Sequence, residues 1–329
     1  MFYVLTRQDT NTVVKYFEIY GKQLAPRSKL LFYDELTNVS QLPAGTYIFS
    51  DIERLDPRSA EQAAEVWEKL SQAGEKVRLL NHPTRSLRRY ELLRVLYERG
   101  SNAFNIYRLT EQRIPQHFPV FIRGENDHSG NLTPLLHTQA ELTAAINQLW
   151  SQGQSRENKV IVEFCDTADA SGTFRKYSAF IVGEQIIPAH IFFSQQWMVK
   201  FVKGVEFISE DMLQEERQYL ESNLHEHLLK DIARLSHIQY GRIDYSVIDG
   251  ALQCWEINTN PQLPLPLDKY AVVPAQVPLL DYSMRQLTAA FSALDCHVNP
   301  GIRINISARR DRFKVLKAPL RALLPRSYR

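Results

Sequence analysis

From Arg242 to Pro264 the chain reads RIDYSVIDGALQCWEINTNPQLP, with Arg242, Asp244 and Ser246 at alternate positions and then Glu256, Asn258 and Asn260. Successive side chains of a strand point to opposite sides, so each trio shares one face. Carboxylates and amides are poor strand formers, and burying them without partners is costly. If the two faces meet, Asp244, Glu256 and Asn258 form a set of hard oxygen donors that suits magnesium held jointly with phosphates. The plainer reading is an exposed hairpin edge followed by a solvated Asn-Pro turn.

The turn between the two strands decides which reading holds. Directly opposed residues of an antiparallel pair point the same way. A two-residue turn at Asp249-Gly250 pairs Asp244 with Trp255 and sends Glu256 to the other side. A turn of odd length, such as Asp249 to Ala251, pairs Asp244 with Glu256 and Arg242 with Asn258. The magnesium reading therefore predicts a turn of three or five residues.

The elements that must position this hairpin are legible from periodicity. The first 85 residues alternate strand-like runs (MFYVLT, LLFYDEL, GTYIFSDI, VRLLN) with helix-like ones (TVVKYFEIYGKQL, AEQAAEVWEKLSQAGE), which reads as a small open α/β unit. LRRYELLRVLYERG has helical spacing and stops at Gly100. The strand FPVFIRG, the helix AELTAAINQLWSQG and the strand KVIVEFC follow. KYSAFIVGEQIIPAHIFF predicts two strands about Gly183-Glu184, and DMLQEERQYLESNLHEHLLKDIARL predicts one long charged helix ahead of the hairpin. Linkers are expected near residues 81–87 and 165–172.

These motifs, in this order, resemble the ATP-grasp superfamily, which includes D-alanine:D-alanine ligase and glutathione synthetase. RIDYSVIDG and WEINTNP look like its metal-binding end, an Asp on one strand and Glu-x-Asn with a Pro on the next. FPVFIRGENDHSG resembles the strand carrying a nucleotide-binding Lys and the small-residue loop over the phosphates; VIVEFC resembles the hinge beside the adenine; WMVK resembles a phosphate-facing segment. The resemblance covers residues 81–265 and implies an α+β / α/β chain: two α+β lobes sandwiching the nucleotide, preceded by a small α/β domain. The implied boundaries are 1–85 for that domain, 86–165 for the middle lobe, 166–300 for the lobe with the metal site, and 301–329 for a basic tail.

The resemblance further implies an ATP- and magnesium-dependent ligase that activates a carboxylate as an acyl-phosphate and joins it to an amine or thiol. Its alternatives are a kinase of the same fold acting on a hydroxyl and a nucleotide-binding protein that has lost catalysis. Implied catalytic residues are Arg242, Lys200 and Lys176. Implied nucleotide contacts are Arg123, Gly124, His128, Ser129, Gly130, Glu163, Phe164, Cys165 and Asp166, and implied metal ligands are Asp244, Glu256 and Asn258. The chain departs from the pattern in three places: Arg123 replaces the first-strand Lys, Arg88, Arg89 or Tyr90 stands where a helix Lys is usual, and Ser178 replaces an Arg five residues before Gly183. Arginine keeps the charge and grips phosphate with two parallel donors, and Lys176 shares the strand face of Ser178.

Other residues take plainer readings. Asp166 and Asp169 are placed to accept from ribose hydroxyls or are simply loop acids. Trp197 and Trp255 read as core or pocket walls, Cys165 as a small apolar wall, and His190 as a satisfied strand residue.

Composition bounds the partners. The chain has 329 residues, 44% of them apolar and 23% charged, enough for two or three lobes. Its three cysteines, Cys165, Cys254 and Cys296, are far apart, which argues against a disulfide frame and for a reducing compartment. Arg7 and Asp9 interrupt the first apolar run, and no run approaches a bilayer span, so a cytoplasmic protein is expected. Residues 302–329 hold nine Lys or Arg against Asp311, a net of +8 that leaves −6 on the rest of a chain whose total is +2. The resemblance implies small-molecule carboxylate and amine substrates; the charge balance disfavours nucleic acid, leaves a homodimer open, and suits a tail docking on the acidic body or on an anionic partner.

Overall fold

The structure, a computed structural model, describes residues 1–7, 12–127, 130–199, 208–296, 298–299 and 301–306. In the head, β1 (Phe2–Thr6) is apolar without alternation and all five of its residues are buried. Such a run suits a parallel strand covered on both faces. Helix α1 (Thr12–Ile19), β2 (Ser28–Phe32), β3 (Gln41–Pro43) and β4 (Gly45–Phe49) follow, then α2 (Pro57–Ser71) and β5 (Val77–Leu80). Their sheet has the order β2-β1-β4-β5 with every pairing parallel. Helix α2 starts where Asp56 accepts the backbone N–H of Ser59 at 3.1 Å, ahead of Pro57 at the first helical position. One sheet face packs Leu5, Tyr47 and Phe49 on Val66 and Leu70 of α2. The other packs Phe2, Val4 and Ile48 on Tyr16 and Phe17 of α1.

The middle of the chain holds α3 (Arg89–Glu98), β6 (Ile106–Arg108), β7 (Val120–Gly124), α4 (Gln139–Ser151) and β8 (Lys159–Glu163). The three strands form an antiparallel sheet of order β6-β8-β7. Leu142 and Leu149 of α4 cover its Val120, Ile122 and Ile161.

The remaining elements are β9 (Phe174–Val182), β10 (Gln185–Ser194), α5 (Glu210–Ser222), α6 (Glu226–Ser236), β11 (Tyr240–Ile248), β12 (Ala251–Asn258), α7 (Leu267–Tyr270), α8 (Val277–Ala293) and β13 (Arg303–Asn305). Strands β9 to β12 make an antiparallel sheet of order β10-β9-β11-β12, and β13 returns to pair with β3. The mixed α/β architecture with several sheets is thus the one expected. The single long helix is not: Asn223 takes a left-handed conformation (φ 46°) and ends α5 before α6 begins. A short polar side chain tolerates that conformation better than most.

One face of this sheet, with Ile181, Ile191, Ile243 and Tyr245, lies against α3, α5 and α6. Half of the other face, with Phe180, Val182 and Tyr240, is closed by the head and by Met284 and Phe291 of α8. Its second half is open. The head is fastened at that boundary by Asn81, whose amide nitrogen donates to Phe49 O and Tyr240 O while its oxygen accepts from Gln239 N and Tyr240 N. Among the described residues no helix is long and apolar enough to cross a membrane.

Candidate active site

The hairpin of β11 and β12 contradicts the predicted turn. Ile248 pairs with Ala251, so the turn is the two-residue Asp249-Gly250, and both residues have positive φ (49° and 78°) as a tight hairpin of this kind demands. Yet Asp244 still opposes Glu256, and Arg242 still opposes Asn258. The parity is restored inside the strand. Tyr245 pairs with Cys254, leaving Trp255 as an extra residue in a β-bulge that turns everything after it over by one position. Trp255 is anchored there, its indole N–H donating to Ser246 Oγ at 2.9 Å and its ring stacked on Phe104 at 5.0 Å.

A second bulge does the same on the outer strand. Pro188 of β10 pairs with Ala179 and His190 with Ser178, so Ala189 is extra. With Ser178 opposite Asp244, one row crosses all four strands on the open face: His190, Ser178, Asp244, Glu256. Both ends of this row owe their facing to a bulge. The β10 bulge is tied down from behind: Ser283 donates to Pro188 O at 2.8 Å, and the buried Glu216 accepts from Ile191 N at 3.2 Å and from Gln276 Nε2 at 2.9 Å. Burial raises the Glu216 carboxyl above its usual range.

Charges along the row are balanced locally. Asp244 is 2% exposed and accepts from Arg242 Nε (2.7 Å), Arg242 Nη2 (3.1 Å) and Ser178 Oγ (2.9 Å), with Lys176 Nζ at 3.6 Å. Burial opposes its ionisation, but Arg242 and Lys176 outweigh that and hold the carboxyl below the usual range. Glu256 accepts from Arg89 Nη2. Arg89, at the start of α3, also donates through Nη1 to Glu125 O at 2.7 Å and Asp127 O at 3.2 Å, so it joins the loop after β7 to the hairpin. Arg123 sits near this pair, and burial, with repulsion from Arg89, pushes it down to about 10. His190 is 7% exposed, its Nε2 is buried without a hydrogen-bond partner, and burial with the nearby Arg242 pushes the ring down to about 3. It is not the satisfied strand histidine expected.

The open face forms one wall of a cavity of about 1080 Å³, ample for a nucleotide and a second small molecule. Arg123, Gly130, Glu163, Phe164, Cys165, Lys176, Arg242, Asp244, Glu256 and Asn258 of the sequence-predicted set line it. Trp197 walls it as expected, packing on Phe121 (5.1 Å) and Phe164 (5.7 Å). Gly124 does not line it; its carbonyl accepts from Arg89 Nη1 at 3.3 Å, and a Cβ there would displace the Asp127 carboxylate. The Glu163 carboxylate is consumed structurally, accepting from Tyr107 OH, Gln116 N and His117 N at 2.8 to 3.0 Å and from Asn105 N at 3.0 Å. Asp166 is exposed and accepts from Ala168 N, and Asp169 closes its own loop on Ser171, Thr173 and Arg175, so neither reaches the cavity. His128, Ser129, Lys200 and the tail beyond residue 306 lie outside the described residues.

The donors fit magnesium in one manner only. Among the described residues no group of three or more His, Cys, Asp or Glu could hold a metal ion. Asp244 and Glu256 on opposed positions, with Asn258 two residues beyond Glu256 on the same face and its oxygen accepting from Asn260 N at 2.8 Å, would suit an ion that completes its shell with phosphate and water. A closed, all-protein site is not present among these residues.

No family model and no curated protein matches the chain. Similar solved structures include D-alanine:D-alanine ligase from Bacillus anthracis (11% identity, TM-score 0.46, covering 88% of this chain and 98% of that one). Another is the Helicobacter pylori D-alanine:D-alanine ligase (13%, 0.42, 86% and 98%). An L-amino acid ligase from Bacillus licheniformis is also similar (11%, 0.42, 92% and 78%).

Proposed function

We propose that the chain is an ATP-dependent ligase of the ATP-grasp type that activates a carboxylate as an acyl-phosphate and joins it to an amine. The observation that carries this reading is the convergence of Asp244, Glu256 and Asn258 on the cavity wall, with Lys176, Arg123 and Arg242 around them. Asp244, Glu256 and Asn258 would hold magnesium, which when bound neutralises phosphate charge. Phe164, Cys165 and Trp197 give an apolar slot for the base, and Lys176 and Arg123 face the phosphates. Arg242, already oriented by Asp244, stabilises the negative charge that develops as the acid's oxygen takes the γ-phosphoryl group. The amine then attacks the acyl carbon, the carbon–oxygen bond to phosphate breaks, and the amine loses a proton to solvent. No side-chain nucleophile is required.

The reading is tested by screening amino acids, dipeptides and polyamines for ADP release. ADP is expected only when both an acid and an acceptor are present, and Glu256→Ala is expected to reduce turnover on the order of a hundredfold. Turnover that persists unchanged in that variant, or ADP formed without any acid, defeats it.

A further inference from the structure

The row across the sheet has two ends, and the ligase reading uses only one. Asp244 and Glu256 serve the phosphates. His190 stands at the other end, two strands from Asp244 and therefore about 10 Å away along the row. That place is on the edge strand of the sheet. The histidine is 93% buried by its 7% exposure, yet it lines the cavity and its Nε2 has no partner. A buried polar nitrogen without a hydrogen bond is rare and calls for an explanation.

The surroundings say which chemistry would satisfy it. The ring rests on Phe192, 4.1 Å between centroids, which fixes its plane. The charged groups it faces are Arg242, Lys176 and Asp244, two cations against one anion. The excess positive charge favours a ligand oxygen that is negative, and a neutral imidazole with hydrogen on Nε2 donates to such an oxygen. The fold also invests in this placement: with regular pairing Ala189 and not His190 would oppose Ser178, and Glu216, Gln276 and Ser283 hold the bulged strand in place.

We propose that His190 belongs to a carboxylate subsite, in which its Nε2–H donates to an oxygen of the acid that is to be activated, beside Arg242. The inference rests on the ligase reading for the fate of that acid, and it adds the residue that binds it. His190 binds substrate here and takes no part in proton transfer.

The test uses the full chain labelled with ¹⁵N-histidine. His190 is assigned from the resonance lost in His190→Gln and, should that variant fold poorly, in His190→Asn. Acetate, glycine, L-alanine and L-glutamate are added singly, with and without magnesium and a non-hydrolysable ATP analogue. At least one carboxylate is expected to shift the His190 Nε2 resonance, and His190→Leu is expected to lose affinity for that probe about tenfold or more, as for a hydrogen bond to a charged group. Affinity for the ATP analogue is expected to stay the same in that variant. A His190 resonance that answers to no carboxylate, or to the ATP analogue alone, overturns the proposal. Failure of the ATP analogue to bind at all defeats the ligase reading instead, and a carboxylate response of His190 still stands in that case.

Discussion

The head sheet and the sheet of β9 to β12 each have four strands, but the head sheet is covered on both faces and the other leaves half of one face to a cavity. The head strands are regular and parallel, and β1 is apolar at every position that packs on the two helices. Strands β10 and β12 each contain a bulge, and the residues those bulges turn inward are His190, Glu256 and Asn258. Regular pairing suffices where any apolar residue of suitable size fills the space. Irregular pairing appears where particular polar side chains face the cavity.

The most direct way to break this contrast is to shift the facing that the irregularity sets. Inserting one alanine between Trp255 and Glu256 places the alanine opposite Asp244 and Glu256 opposite Ile243, sends Glu256 and Asn258 to the helix-covered face, and is expected to abolish ATP turnover; assay of the purified variant, with circular dichroism to establish folding, reads this. Retained turnover would show that the facing of Glu256 does not matter.

Next in size is a cut in the regular sheet. Phe49→Ala removes a fully buried ring of the head core and is expected to cost about 3 to 5 kcal/mol in urea denaturation. If nucleotide affinity falls as much as stability does, the head and the open face are less separate than their packing indicates.

A smaller effect comes from acid. His190 is buried and its folded pKa is about 3, against roughly 6.5 when unfolded. Between these values the unfolded chain binds the extra proton, so its contribution is fully present above about pH 6.5 and declines as pH falls toward 3. The decline is about 1.4 kcal/mol per pH unit below 6, and His190→Gln should lack that share of the slope between pH 7 and pH 5. Identical slopes would mean that the ring takes up its proton without cost.

The smallest expected change is Ser178→Ala, which removes one donor from Asp244 while Arg242 and Lys176 remain. A loss of about 1 kcal/mol is expected in thermal denaturation, with the larger consequence in a weakened orientation of Asp244, read as a drop in kcat.

Much of this was legible in the residues. Uninterrupted apolar runs such as FYVLT give buried parallel strands, because only a strand covered on both faces needs no polar alternation. The period of two in RIDYS and WEINTN places Arg242 with Asp244 and Glu256 with Asn258, because alternation is local backbone geometry. The types of those residues point to an oxygen-donor site for the same local reason. The meeting of the two pairs was not legible, and the turn-parity rule pointed to the wrong turn. A bulge leaves no residue type as its mark; Trp255 and Ala189 become the extra residues through contacts with Phe104 and Ser246 in one case and the support of α5 and α8 in the other. His190 looked like any strand histidine for a related reason. Sequence set which residues share a face of each strand, a matter of neighbouring dihedral angles, whereas register across strands, the pairing of Arg89 with Glu256 and the unpartnered His190 depend on residues far apart in the chain and were decided only by tertiary packing.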